Sequence, residues 1–216
     1  MTLGAALYDA FGKTYILNLK RSLDRKLSME QKCSSINLNY EFFEAFDGDN
    51  FKFPFYTKDG YMNGNQLGEI TTSRYYAAQY ALNYIIHRAI NNNIKSFIFM
   101  NDDVYFDNYQ NFTDQNFLDI KNKIPENWDI IVLGHMFPTI PYSGEVAYAP
   151  NTAHTKGCQA LAINHTAYHD IISQSAPVTN VVGDHLNDKL RSIGKNIYHV
   201  CPDICLQDRS MVTTMI

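Results

Sequence analysis

Ile94-Lys-Ser-Phe-Ile-Phe-Met-Asn-Asp-Asp-Val-Tyr-Phe-Asp107 is the stretch on which the reading of this chain turns. Phe97, Ile98, Phe99 and Met100 form a short apolar run, partly β-branched and aromatic, of the kind that makes a buried strand. The run stops at Asn101, Asp102 and Asp103, three oxygen-bearing side chains where a strand should meet solvent. Adjacent carboxylates raise each other's pKa, so burying them together requires a counter-charge. A hard divalent cation, Mg²⁺ or Mn²⁺, is one that oxygen ligands suit. Ligands of α/β proteins bind just beyond the carboxyl ends of the strands. The stretch therefore predicts a place where a cation meets a diphosphate. An ordinary Asn-Asp-Asp turn in solvent uses the same residue types, and the remainder of the chain has to separate the two.

Upstream, Gly68-Glu69 opens a long helix that runs to about Ile90, with Tyr75, Ala78, Leu82, Ile85, Ile86 and Ala89 on one face. Thr71 or Thr72 is expected to cap it, and Asn91-Asn92-Asn93 to end it. The helix leads straight into the organising strand, as in a right-handed βαβ crossover, which sets Gln66 to Ile70 near the ligand edge. Thr14 to Leu19 reads as a buried parallel strand. It empties into Lys20-Arg-Ser-Leu-Asp-Arg-Lys26, four cations in seven residues, and then a helix from about Asp24 to Ser34. Arg21 and Arg25 are spaced to reach one anion from a loop and a first helical turn, although a solvated basic helix face is the alternative. Tyr40 to Phe46 is a further strand, closed by the turn Asp47-Gly48-Asp49. Asn50 to Asn65 is a long loop whose rings (Phe51, Phe53, Phe55, Tyr56, Tyr61) suit stacking on a base or sugar, or packing on the sheet edge.

Downstream, a helix is expected over Gln115 to Lys123 and a buried strand over Trp128 to Gly134. Pro138 to Asn151 reads as a loop or hairpin, Gly157 to Asn164 as a strand, and Thr166 to Ser173 as a helix. A last helix starts at Val181-Val-Gly-Asp-His, with Gly194 as its stop, before a final strand at Asn196 to Val200 and a tail from Pro202. No repeat or composition break divides the chain. The expectation is one domain over residues 1–216, with 1–12 and 208–216 peripheral.

Bulk composition narrows the function classes. With 216 residues, 45% of them hydrophobic, the chain can bury a full core. A net charge of −4 offers no field for polyanions, so nucleic acid is excluded as a main partner. Cys33, Cys158, Cys201 and Cys205 form neither a Cys-x-x-Cys motif nor a zinc spacing, and reduced thiols are expected. Met1 to Gly12 lacks a basic start and is too short for a signal peptide or a membrane span. A cytoplasmic protein with no transmembrane segment is expected, with attachment to a membrane surface left open.

Taken together and in order, these pieces resemble glycosyltransferase family 25, which includes lipooligosaccharide glycosyltransferases and collagen galactosyltransferases. The resemblance rests on Ile16-Leu-Asn-Leu-Lys-Arg21 with Asp24-Arg25, Phe43-Glu-Ala-Phe-Asp-Gly48, Gly68-Glu69-Ile70, Asn101-Asp102-Asp103-Val104 and Trp128 to Gly134. It continues through Gly157 to Asn164, Asp184-His185 and Pro202 to Gln207. Asn101 stands where the family commonly has an acid, and Tyr75-Tyr76 where it commonly has Ser-His.

The resemblance implies a GT-A-like, Rossmann-like α/β domain with a mostly parallel twisted sheet flanked by helices. It implies transfer of a hexose, galactose or glucose, from a UDP-sugar to a glycan, lipooligosaccharide or glycoprotein acceptor with inversion. Mn²⁺ or Mg²⁺ would be held by Asp103, with Asp102 or Asn101 assisting directly or through water and His199 completing the shell. Asn18, Arg21, Arg25, Asp47, Glu69 and Asp102 would bind the nucleotide sugar. Inversion needs a base for the acceptor hydroxyl, and Asp184 is the first candidate, with Asp188 one turn on. Asp is also a favoured helix cap, and the loop residues His135 and His154 are as readily exposed bystanders. Two other classes compete: a sugar-binding or nucleotide-sugar-binding domain without catalysis, and a metal-dependent nucleotidyltransferase. The latter usually opens with a Gly-rich loop that Lys20-Arg21 lacks.

Overall fold

The computed structural model describes residues 1–49, 66–106, 108–134, 144–150, 159–175, 178, 182–208 and 210, with backbone alone for 66–72 and 108. The aromatic loop from Asn50 to Asn65, together with His135 and His154, lies outside the described residues. In chain order the elements begin α1 (Leu3–Phe11), β1 (Thr14–Asn18), α2 (Leu23–Ser35), β2 (Tyr40–Glu44) and α3 (Gln66–Asn91). They continue β3 (Ser96–Asn101), β4 (Val104–Tyr105), α4 (Asp114–Asn122), β5 (Ile130–Gly134), β6 (Ala147–Pro150) and β7 (Ala160–Asn164). The last are α5 (Tyr168–Ser173), α6 (Val182–Ser192), β8 (Ile197–Cys201) and β9 (Leu206–Gln207).

Seven strands form one sheet in the order β2-β1-β3-β7-β5-β8-β6. β2, β1, β3, β5 and β8 run one way, and β7 and β6 run the other. The expected α/β architecture, a mostly parallel sheet between helices, is the one the chain adopts. Alternate strand side chains point to opposite faces, and they fill two separate cores. Tyr15, Leu17, Phe97, Phe99 and Val132 pack under α3, α5 and α6, whereas Ile16, Ile98, Met100 and Leu133 pack under α1, α2 and α4. Burial on both faces explains why β1 and β5 read as unbroken apolar runs.

Several boundaries differ from the sequence reading. α3 starts at Gln66, so Thr71 and Thr72 lie inside the helix and do not cap it. It ends as expected at the asparagines: Asn93 takes φ 55°, and the Ile94 N–H reaches the Ala89 carbonyl at 2.9 Å. A strand, β6, falls within the stretch expected as a loop or hairpin, and its Pro150 sits on the sheet's outer edge, where proline is tolerated.

The two chain ends are corrected more deeply. Residues 1–12, expected to be peripheral, form a capped helix beside α4 in which Leu3, Leu7 and Phe11, spaced at i, i+4 and i+8, are at most 1% exposed. Full burial of each such side chain contributes about 2 kcal/mol, which a loose arm could not gather. Pro202 to Asp208, expected as part of a tail, is built into the fold. The N–H groups of Ile204 and Cys205 donate to the Leu133 carbonyl at 2.8 and 3.2 Å, and β9 pairs antiparallel with β4. Gly134 permits that approach, since a Cβ there would stand 2.1 Å from the Cys205 carbonyl oxygen. Among the described residues, no helix is long and apolar enough to cross a membrane.

Candidate active site

The carboxyl ends of β1, β3, β5 and β8 share one edge of the sheet. α2 leaves β1 at that edge, while α3 and α6 descend from it to enter β3 and β8. Three helix amino ends therefore converge above the strand tips, the position where α/β folds bind ligands.

Asp102 and Asp103 close β3 there, and neither lies in solvent: they are 0% and 8% exposed. The counter-charge that such burial demands comes from the first turn of α2. Arg25 Nη2 lies 2.5 Å from Asp102 Oδ1 and 3.2 Å from Asp103 Oδ2. Asn18, the last residue of β1, donates from its amide to Asp102 Oδ2 at 2.7 Å and to the Ser22 carbonyl at 3.2 Å. Burial pushes the Asp102 carboxyl up to about 6, against the pull of Arg25 and Asn18, with neighbouring Asp103 adding to the rise. Arg25 and Asn18, expected to reach the donor, are thus directed at the acidic pair. Asn18 and Arg25 thus each help to organise Asp102.

Asp103 is arranged differently. Its Oδ2 accepts from the Gln207 amide at 3.1 Å besides facing Arg25, and its carbonyl accepts from the Asp208 N–H at 2.6 Å. Its Oδ1 is buried and has no hydrogen-bond partner among the described residues. A buried acceptor without a hydrogen bond costs roughly 1–3 kcal/mol, a cost that a cation or a water at that oxygen would offset. A hard cation fits that oxygen. Among the described residues, however, no group of three or more His, Cys, Asp or Glu side chains could hold a metal. A cation here would take one protein carboxylate and draw its other ligands from phosphate and water, as Mg²⁺ commonly does.

Beside the pair, at the ends of β1 and β2, lies an open cleft of about 410 Å³ lined by Leu19, Lys20, Arg21, Glu44, Ala45, Phe46 and Asp47. Its wall is an ion-pair chain. Arg21 meets Asp47 at 2.8 Å and Asp49 at 3.0 Å, and Arg74 of α3 meets Asp49 at 2.6 Å. Hydrogen bonds from Arg74 first, then Arg21, hold the Asp49 carboxyl below the usual carboxylate range. Arg21 and Asp47, both expected at the donor, do line one cleft, but as each other's partners.

The remaining candidates separate. Asn101 donates to Gln159 Oε1 at 2.9 Å; strand alternation turns it toward the α3 face, away from Asn18 and Arg25. His199, expected to complete the metal shell, is not brought to the acidic pair. β8 stands three strands from β3, about 14 Å, and His199 shares the face of Ile197 under α3 and α6. Glu69 lies in the first two turns of α3, at the ligand edge, with its side chain outside the described residues. Asp184 is half-buried in the first turn of α6, near enough to α3 for its charge, after burial, to raise the Tyr75 hydroxyl's pKa. Asp188 is exposed one turn further from the edge. Gln207, Asp49 and Arg74 also stand at this edge, outside the residues expected there. Asp49 was visible as a turn residue, but nothing local announces a partner 25 positions away.

A family model described as "Glycosyltransferase family 25 (LPS biosynthesis protein)" matches residues 11–139, more than half of the chain. No curated protein matches it. Among solved structures the chain is similar to the crystal structure of a glycosyltransferase involved in the glycosylation of the major capsid of PBCV-1. Identity there is 12%, over 87% of this chain and 80% of that one, with a TM-score of 0.48. It is also similar to A197 from STIV, at 10% identity, with the same coverage of 87% and 80% and a TM-score of 0.43. Neither likeness carries a functional argument.

Proposed function

The chain belongs to glycosyltransferase family 25, and from that premise we propose a single-domain, GT-A type hexosyltransferase. It moves galactose or glucose from a UDP-sugar to a hydroxyl of a glycan, lipooligosaccharide or glycoprotein, with inversion at the anomeric carbon and with Mn²⁺ or Mg²⁺ present. The observation that carries the reading is Asp103 Oδ1, a buried carboxylate oxygen with no hydrogen-bond partner among the described residues, at the tip of a central strand.

Asp103 would hold the cation, which when bound would supply Lewis acidity toward a diphosphate leaving group. Asp102 stays inside, fixed by Arg25 and Asn18, and keeps the turn in place. The cleft bordered by Lys20, Arg21 and Asp47 takes the nucleoside end of the donor, with Glu69 at the same edge. Asp184 is the base. Its carboxylate takes the proton of the acceptor hydroxyl, that oxygen bonds to the anomeric carbon, and the bond to the diphosphate oxygen breaks with its electron pair.

The test is release of UDP from UDP-galactose and UDP-glucose in the presence of glycan acceptors. Release with Mn²⁺ that stops in excess EDTA is expected. Release undiminished by EDTA removes the metal from the account. Donor binding without release, whatever acceptor is offered, assigns the chain to the nucleotide-sugar-binding alternative.

A further inference from the structure

A carboxylate oxygen makes a selective ligand only when its partner oxygen is held, because a free carboxylate rotates about its Cβ–Cγ bond. Asp103 Oδ2 is held from two directions: by Arg25 Nη2 at 3.2 Å from α2 and by Gln207 Nε2 at 3.1 Å from β9. Gln207 is itself fixed. It stands opposite Val104 in the β4–β9 ribbon, the residue after Asp103, and the Asp208 N–H bonds the Asp103 carbonyl at 2.6 Å. Lys32 of α2 ties the same ribbon down, meeting Asp208 at 2.8 Å and the Val104 carbonyl at 3.0 Å. The charge type matters as much as the position. Asp102 and Asp103 share one guanidinium, so the three groups keep one net negative charge. A neutral amide orients Asp103 without cancelling that charge, which a lysine or arginine at 207 would do.

We propose that Gln207 is a positioning residue that fixes the Asp103 carboxylate so that Oδ1 presents to a divalent cation. The inference rests on the proposed metal role of Asp103 and adds the C-terminal ribbon to the site. Groups that orient a ligand from behind typically control metal affinity by 10–100-fold.

The experiment is calorimetric titration of Mn²⁺ into the protein saturated with UDP, for wild type, Gln207→Met, Gln207→Asn and Asp103→Asn. Methionine keeps the length and removes the donor; asparagine keeps the amide and withdraws it. Both are expected to raise the Mn²⁺ Kd about tenfold or more, while the metal-free melting midpoint moves by no more than about 4 °C. If either variant fails to fold, the other carries the test. A Kd within about twofold of wild type in the folded Gln207 variants, with binding lost in Asp103→Asn, overturns the role of Gln207 and leaves the proposed function standing. Unchanged Mn²⁺ binding in Asp103→Asn, or none in wild type, overturns both.

Discussion

Arg25 Nη2 stands 2.5 Å from Asp102 Oδ1, and the two side chains are 5% and 0% exposed. A buried ion pair gains little over an apolar pair of the same volume, but removing one partner strands the other. Arg25→Met leaves Asp102 and Asp103 buried together with no guanidinium between them. The expected loss is about 3–5 kcal/mol of unfolding free energy, read from urea denaturation. Adding Asp102→Asn should recover part of it, because the stranded charge is gone. A single-variant loss below about 1 kcal/mol, the range of solvated pairs, would contradict the burial on which the site rests.

Gly48 lets the Asp47–Asp49 turn lie against α3, where a Cβ would stand 2.5 Å from the Arg74 Cα. Backbone cannot yield as a side-chain tip can, so Gly48→Ala must push the turn away. The Arg21–Asp47 and Arg74–Asp49 contacts loosen with it, and the cleft wall moves. A stability loss of about 1–3 kcal/mol is expected, together with a several-fold rise in donor KM and a smaller change in kcat. A normal KM in a folded Gly48→Ala protein would separate this wall from donor binding.

His185, fully buried behind Asp184, donates from Nε2 to the Gln174 carbonyl at 2.9 Å. Burial first, and then Lys189, lower its pKa below the ordinary 6.5, while the Gln174 carbonyl and Asp188 oppose the shift. The folded protein therefore keeps the ring neutral, and the unfolded chain binds the extra proton as pH falls. Stability from this group is complete above pH 6.5 and is lost as pH falls toward the folded-state pKa. One proton gives a slope of at most about 1.4 kcal/mol per pH unit. His185→Gln should flatten the pH 5–7 stability profile by up to that amount; an unchanged slope would mean the ring titrates freely.

Asp184 and Asp188 lie on one face of α6, a turn or about 6 Å apart along the axis, with Asp184 nearer the strand tips. Asp184→Asn should lower kcat by about 10²–10⁴-fold with donor KM little changed, and Asp188→Asn should stay near wild type. The opposite pattern moves the base along the helix.

The features that the sequence announces are local, and those that it hides are decided by distant parts of the chain. The β1 and β5 runs, the α3 stripe and the Asn101-Asp102-Asp103 stop are local and periodic, and each maps onto the structure. α1 escaped because Leu3, Leu7 and Phe11 span only nine residues, a helix whose partner, α4, lies over a hundred residues away. β9 escaped for a similar reason: two residues carry no period, and their pairing with β4 is decided by Gly134 and the Leu133 carbonyl. Charge was legible but its direction was not. Both Arg21 and Arg25 read as anion-binding, and the anions they meet are carboxylates of the chain itself. His199 marked a strand end correctly, yet strand order put β7 and β5 between it and Asp103.

On the proposed function, Asp103 would supply the oxygen that holds a divalent cation at the donor's diphosphate. The most direct measurement of that role is steady-state UDP release by Asp103→Asn at saturating donor and Mn²⁺, beside wild type and with folding checked by circular dichroism. Loss of several kcal/mol of transition-state stabilisation corresponds to a fall of at least about 100-fold, and that fall is predicted. A folded Asp103→Asn protein that turns over within about threefold of wild type, under 1 kcal/mol by the same arithmetic, would contradict it.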